Sequence, residues 1–305
     1  MLREGQQKKE TEYGAVAAPR STVRLRGPRV GGGVAVMTRR DMLQGTIGAT
    51  VLGIGSAAAA SREEALSTAL TGTGAAFVIR NIGTGETLRY EPELAAQPKS
   101  PFSTFAIWSA AIALDVGEIP DLSFRLGWDA EKHPAAGDWP EEWKRPHDVR
   151  SAFKASAVWF FRELALRIGP ERMGAALRAV GYGNADVSGG IDRFWINSSL
   201  RIAAEEQVER LADLVEGRTT LSTRAVGLVR EIMEIERGRG MVLSGKTGGG
   251  RVASGYEGWF VGTLVRPKDQ FAFATFLRAT TWEGIDSQRM VLTGEALAAL
   301  GLRAG

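Results

Sequence analysis

Two serines and a lysine are of residue types that could carry nucleophilic or proton-transfer chemistry. Ser103 lies near the start of the apolar-periodic stretch "SPFSTFAIWSAAIALDVG", Ser156 lies in "KASAVWF", and Lys246 opens "KTGGG". A serine in the first turn of a helix sits among N–H groups that have no intrahelical acceptor. It is then either a cap or, given a base, a nucleophile. No base follows within the next turn, because the position three residues on, on the same helix face, is Ala106. His133 and His147 are the only histidines; both fall in the loop-like stretch "HPAAGDWPEEWKRPHD" and read as surface residues rather than members of a Ser-His-Asp triad. With two histidines and no cysteine, neither a multi-histidine nor a thiolate metal site can be built. Ser151 to Lys154 also has S-x-x-K spacing, but on one continuous helix Lys154 and Ser156 point apart, so that match is a decoy.

Positioning such residues requires a scaffold. The 305 residues are 44% hydrophobic and 24% charged, enough to bury a sizeable core. "AAFVIRNIGTGETLRYEPE" alternates as a strand, turns at Gly83-Thr84-Gly85 and resumes as a second strand. The Ser103 helix follows, then a loop-like region from Gly127 to Asp148. A strong helical pattern covers 149–180 in two pieces broken at Gly169-Pro170, with Ser156 on the first piece. Residues 203–233 return to helix. Lys246-Thr247-Gly248 begins the strand region, "GYEGWFVGTLVRPKDQFAFATFLRA" forms a strand pair turning at Arg266 to Asp269, and a last helix runs from about Ser287 to Leu302. Strands at both chain ends with helices between them imply one α/β (α+β) unit, a sheet assembled from both termini with a helical insertion.

The charge is uneven. Residues 1–40 hold nine Lys/Arg against three Asp/Glu, whereas the chain from Ser61 holds 29 against 31. The basicity therefore belongs to the leader, and no nucleic-acid partner is expected. Residues 1–36 read as disordered or as preceding the true start at Met37. Residues 37–60 read as an export signal: Arg39-Arg40, an uncharged run and a small-residue end at Ala57 to Ala60. With "TRRDML" this resembles a twin-arginine signal and implies a periplasmic protein with no stable membrane anchor. The remaining unit is 61–305.

Four segments in order carry a family resemblance: Ser103-Thr104-Phe105, Ser156-Ala157-Val158, Tyr182-Gly183-Asn184 in "YGNADVSGG", and Lys246-Thr247-Gly248 followed by "GWFVG". With "FWINSSLRIAAEEQ", the set resembles the class D β-lactamases among the serine penicillin-recognising enzymes. The resemblance implies the β-lactamase/DD-peptidase fold, a mainly antiparallel sheet flanked by helices. It implies a β-lactam or peptidoglycan-like small ligand, and neither cofactor nor metal. Ser103 would attack the β-lactam carbonyl, with the backbone N–H groups of Ser103 and Gly249 as oxyanion hole. Ser156 would relay a proton to the leaving nitrogen, Lys246 would shuttle protons or meet the substrate carboxylate, and Thr247 and Arg289 would bind that carboxylate. Val158 and Trp195 would line the site, and Gly248 and Gly249 would let the strand approach the ligand closely.

The departure is Ala106. The family motif is S-T-F-K, its lysine being carbamylated and serving as general base for acylation and deacylation, and here it reads S-T-F-A. A positioned base contributes roughly 10²–10⁴-fold, so rate suffers more than binding. Three readings follow: an impaired serine hydrolase, a non-hydrolytic penicillin or stem-peptide binder resembling the sensor domains of this architecture, and a cell-wall peptidase or transpeptidase. Lys246 is the substitute base that the motifs offer.

Overall fold

The computed structural model describes residues 60–135, 139–196, 199–238 and 240–303, so the expected leader and export signal lie outside the described residues, apart from Ala60. The sheet does come from both ends of the chain. It contains β1 (Ala75–Asn81), β2 (Thr87–Tyr90), β5 (Glu234–Gly238), β6 (Met241–Val252), β7 (Gly255–Val265) and β8 (Gln270–Ala279). Their order is β2-β1-β8-β7-β6-β5, and each neighbouring pair is antiparallel. A small ladder of β3 (Arg125–Leu126) and β4 (His147–Asp148) stands apart, and a single helical turn, α2 (Pro92–Ala95), follows β2.

The central strands read as unbroken apolar runs because both of their faces are buried. On β8, Phe271, Phe273 and Leu277 pack with Leu66 and Leu70 of α1 (60–70) and with Leu292, Ala296 and Leu297 of α9 (Gln288–Ala299). The alternate residues Ala272, Ala274 and Phe276 join the core formed with α3 (Ala106–Asp115) and the helical insertion. A slip of one residue would exchange these two sets, so the alternation fixes the register. Helix α1 was not among the expected elements, which begin with the strand at Ala75.

The strand region begins earlier than Lys246. β5 and β6 form a hairpin before it, and Lys246 lies in mid-strand. β5 pairs with β6 only as far as Ser244, so from Gly245 onward one edge of β6 is left without a strand partner. That edge runs beside the 3-10 turn Phe102–Phe105, which leads directly into α3.

The helical insertion holds α4 (Val149–Ala155), α5 (Val158–Ile168), α6 (Pro170–Val180), α7 (Ala204–Glu216) and α8 (Thr223–Met233). The joint at Gly169-Pro170 is as expected, with Gly169 at φ 80°. A second break at Ser156 corrects the expectation that this serine stands on a continuous helix. Ser156 N–H donates to Phe153 O at 3.3 Å and Ala157 N–H to Ala152 O at 3.0 Å, the paired bonds of a Schellman ending. Glycine is the usual residue at the left-handed position of that motif; here serine occupies it at φ 57°. Without a glycine to mark it, the break leaves no signal in the sequence pattern.

Candidate active site

Ser103 sits in the 3-10 turn Phe102–Phe105, half-buried among buried neighbours. Phe102 N–H donates to Trp195 O at 3.0 Å and Thr104 N–H to Pro101 O at 3.2 Å. Ser103 N–H, between them, lies in a first turn where no intrahelical acceptor is in reach. Phe102 itself has φ 49°, a left-handed value that costs an L-residue about 1–2 kcal/mol. Its ring is buried against β6, where a side chain at Gly250 would collide with it.

The turn is braced from behind. Thr104 Oγ1 donates to Pro101 O at 2.7 Å and accepts from Gln207 Nε2 at 3.0 Å, and Tyr182 O–H points to Gln207 Oε1 at 3.4 Å. Tyr182 is fully buried against the rings of Phe105 and Trp108, and burial pushes its phenol far above the usual range. It is therefore a strut and not a proton donor. Gln207 ends the stretch "FWINSSLRIAAEEQ" and is not a residue that the motifs single out. Its signal was a glutamine among the buried positions Ala204, Val208 and Leu211 of an amphipathic helix.

Across the site, Lys246 reaches from β6 to Ser156. Its Nζ donates to Ser156 Oγ and to Thr247 O, the latter at 3.1 Å, and stands 5.6 Å from the centre of the Phe153 ring. Lys246 is 5% exposed, and no carboxylate among the described residues acts on its charge. Burial, and secondarily the charge of Arg289, lowers its pKa from 10.5 to about 7. Near neutral pH this amine thus exists in both states, and the neutral one can accept a proton from Ser156. Lys154 is exposed, so the S-x-x-K decoy stays outside the site.

β6 alternates across this contact. Lys246, Gly248 and Gly250 face the nucleophile turn, whereas Thr247 and Gly249 face α9. A Cβ at Gly248 would come within 2.9 Å of Pro101 O and Thr104 N, and one at Gly249 would lie 2.9 Å from Ile285 and 3.3 Å from Arg289 Nη1. The close approach that both glycines permit is to the protein's own site walls. Arg289 is 8% exposed; its Nη2 bonds Asp286 at 2.8 Å, while Nε and Nη1 are buried with no partner. Its guanidinium lies 5.5 Å from the Trp282 ring centre. Two unsatisfied cationic donors behind a glycine on β6 are suited to an anion such as a carboxylate.

Ser103, Ala106, Ser156, Val158, Phe161 and Trp195 line a cavity of about 10 Å³. That is room for roughly one water. No titratable side chain lines it, and Trp195, wedged between Phe105 and Phe194, forms its wall. The structure therefore gathers Ser103, Ser156, Val158, Trp195 and the alanine, with Lys246 joined through Ser156 and Thr247, Gly248, Gly249 and Arg289 on the facing strand side. A larger cleft of about 1130 Å³ lies between α9 and the β5–β6 and β7–β8 turns and holds none of these residues.

The two histidines are buried, not superficial. His133 Nε2 lies 2.6 Å from Glu163 Oε1, and His147 bridges Glu142 O at 2.9 Å and Ser151 Oγ at 3.1 Å. Proline-rich sequence suggested exposure, but the loop folds back over α4 and α5 and makes the histidines its anchors. Neither lines the cavity at Ser103.

Comparison with known proteins agrees with this geometry. Residues 60–293 match the penicillin binding protein transpeptidase domain. The chain is 35% identical over 203 residues to the probable β-lactamase YbxI of Bacillus subtilis, covering 67% of this chain and 74% of that one. It is 33% identical over 203 residues to β-lactamase OXA-48 of Klebsiella pneumoniae, with the same coverage of 67% and 74%. It is also 30% identical over 204 residues to the regulatory protein BlaR1 of Bacillus licheniformis, 66% of this chain but 33% of that longer one. Among solved structures, a class D β-lactamase YbXI from Nostoc superposes with a TM-score of 0.73 at 32% identity, covering 78% of this chain and 99% of that one. A class D β-lactamase from Bacillus subtilis superposes at 0.70 with 30% identity, covering 79% and 97%. With the antiparallel sheet, the serine at the helix start and the lysine strand facing it, the chain belongs to the class D β-lactamase family of penicillin-binding serine proteins.

Proposed function

We propose that this chain is acylated on Ser103 by β-lactams and releases the acyl group slowly. The observation that carries this reading is the buried contact between Lys246 Nζ and Ser156 Oγ, with Ser156 sharing one small cavity with Ser103. Neutral Lys246 takes the Ser156 proton as Ser156 takes that of Ser103, and Ser103 Oγ bonds to the lactam carbonyl carbon. When the C–N bond breaks, Ser156 passes its proton to the ring nitrogen and regains one from Lys246, which is neutral again. The N–H groups of Ser103 and Gly249 hold the oxyanion, a contribution usually worth several kcal/mol. Thr247 and Arg289 receive the ligand carboxylate.

Deacylation needs a base beside the ester. Beside Ser103 the one-water cavity at Ala106 has no titratable side chain in its walls to activate that water, so the acyl-enzyme persists. A second reading, a penicillin or peptidoglycan-stem sensor without turnover, draws on the same alanine and on the likeness to the regulatory protein BlaR1. Export to the periplasm rests on the Arg39-Arg40 leader. Labelling with a fluorescent penicillin tests the proposal: the unmodified protein takes up label and Ser103→Ala does not. Equal labelling of both sinks it.

A further inference from the structure

Ser156 owes its position to a break between α4 and α5 that has no glycine. A helix end leaves carbonyls without intrahelical donors, and a left-handed serine at φ 57° adds strain. Something outside the two helices must therefore favour the break. The loop that folds back over α4 and α5 supplies it. Trp143 Nε1–H donates to Ala155 O at 2.8 Å, the carbonyl of the residue immediately before Ser156. Trp159, in the first turn of α5, donates its own Nε1–H to Trp143 O at 2.7 Å.

Trp143 thus bridges both sides of the break, accepting from the start of α5 and donating to the end of α4. It is itself held in place. It ends a 3-10 turn (Glu141–Trp143), its ring stands edge-on to Trp139 at 5.3 Å, and buried His147 grips the preceding carbonyl of Glu142.

We infer that Trp143 is a positioning residue for proton transfer: its indole N–H caps Ala155 and so sets the Ser156 hydroxyl against Lys246. The inference rests on the role given to Ser156 above. If the cap is lost, Ala155 O turns toward water or toward a continued helix, and Ser156 leaves the left-handed region. Its Oγ then withdraws from Lys246 Nζ. A displacement of about 1 Å in a proton-transfer partner is enough for a rate loss of the order of 10²-fold.

The test is the acylation of Ser103 by a fluorescent penicillin, resolved into the binding constant and the maximal acylation rate. The panel is the unmodified protein, Trp143→Phe, Trp139→Phe and Ser156→Ala. Trp143→Phe keeps an aromatic ring and removes only the donor; Trp139→Phe perturbs the packing of the same ring but leaves the cap. The expected result is a maximal rate lowered by about 10- to 100-fold in Trp143→Phe with binding within about twofold, Trp139→Phe near normal, and Ser156→Ala at least as slow as Trp143→Phe. An unchanged rate in Trp143→Phe while Ser156→Ala is slow overturns the inference and spares the Ser156 role. An unchanged rate in Ser156→Ala, or no labelling of the unmodified protein, overturns both. Equal losses in Trp143→Phe and Trp139→Phe reduce Trp143 to packing and also overturn it. Should Trp143→Phe melt below the assay temperature, solvent exchange of the Trp143 indole proton in the unmodified protein decides: strong protection supports the cap, and exchange as fast as that of an exposed indole refutes it.

Discussion

Replacing Lys246 by methionine should stabilise the protein, and by an amount that depends on pH in a defined way. The ammonium is buried without a carboxylate partner, and its pKa falls from 10.5 to about 7. At 1.36 kcal/mol per tenfold change in proton affinity, holding that proton in the folded state costs about 4–5 kcal/mol. The sign follows from which state binds more protons. Between about pH 7 and 10.5 the unfolded chain keeps the proton and the folded chain releases it. The lysine's contribution to stability therefore rises with pH across that window and is flat below it. Methionine has a similar length and no charge, so it removes both the cost and the slope. It also leaves the Ser156 hydroxyl without its partner, an offset of about 1 kcal/mol. The expected gain is about 3–4 kcal/mol at pH 6, near 1 kcal/mol at pH 9, and none by pH 10.5. Denaturant unfolding followed by tryptophan fluorescence at those three pH values measures it. Parallel stability curves for the two proteins would show that Lys246 keeps an ordinary pKa, and the case for it as a base would fall.

The remaining predictions concern the walls of the site. Ala106→Lys puts a long side chain where the cavity has about 10 Å³, so Phe161 or Trp195 must move. A loss of about 1–3 kcal/mol in stability is expected, with hydrolysis of a chromogenic cephalosporin up about 10²-fold; no gain would mean that the neighbouring walls hold the site closed to a base. Gly248→Ala drives a methyl group to within 2.9 Å of Pro101 O and Thr104 N, which are rigid backbone, so thermal unfolding should show a loss of about 1–3 kcal/mol. Gln207→Leu removes the donor to Thr104 Oγ1 and the partner of the Tyr182 hydroxyl and should cost about 1–3 kcal/mol, whereas Tyr182→Phe, which loses a hydroxyl 3.4 Å from Gln207 Oε1 but leaves the Gln207–Thr104 bond in place, should cost less than about 1 kcal/mol.

Much of the architecture was legible because its causes are local. Alternation along β1 and β8, the turn at Arg266 to Asp269 and the Gly169-Pro170 joint are each written in a few adjacent residues. Ser103, Ser156 and Lys246 were legible as motifs, and their meeting in space follows from the two ends of the chain sharing one sheet. What escaped has non-local causes. The break at Ser156 meets an indole N–H twelve residues upstream of Ala155, supplied by a loop that reads as mere surface. The burial of His133 depends on Glu163, thirty residues on. The internal orientation of Gly248 and Gly249 depends on the turn at Pro101 and on α9, which no spacing within "KTGGG" records.

The proposed function has two halves: Ser103 keeps its nucleophilicity, and Ala106 leaves the acyl group without a base. Intact-protein mass spectrometry after mixing with one equivalent of a simple penicillin tests both halves in one time course. One adduct of the whole ligand on Ser103 is expected, forming fastest above about pH 7, where Lys246 is neutral, and persisting for many minutes or longer. An adduct that vanishes within seconds, with stoichiometric release of hydrolysed penicillin, or no adduct at any pH, would contradict it.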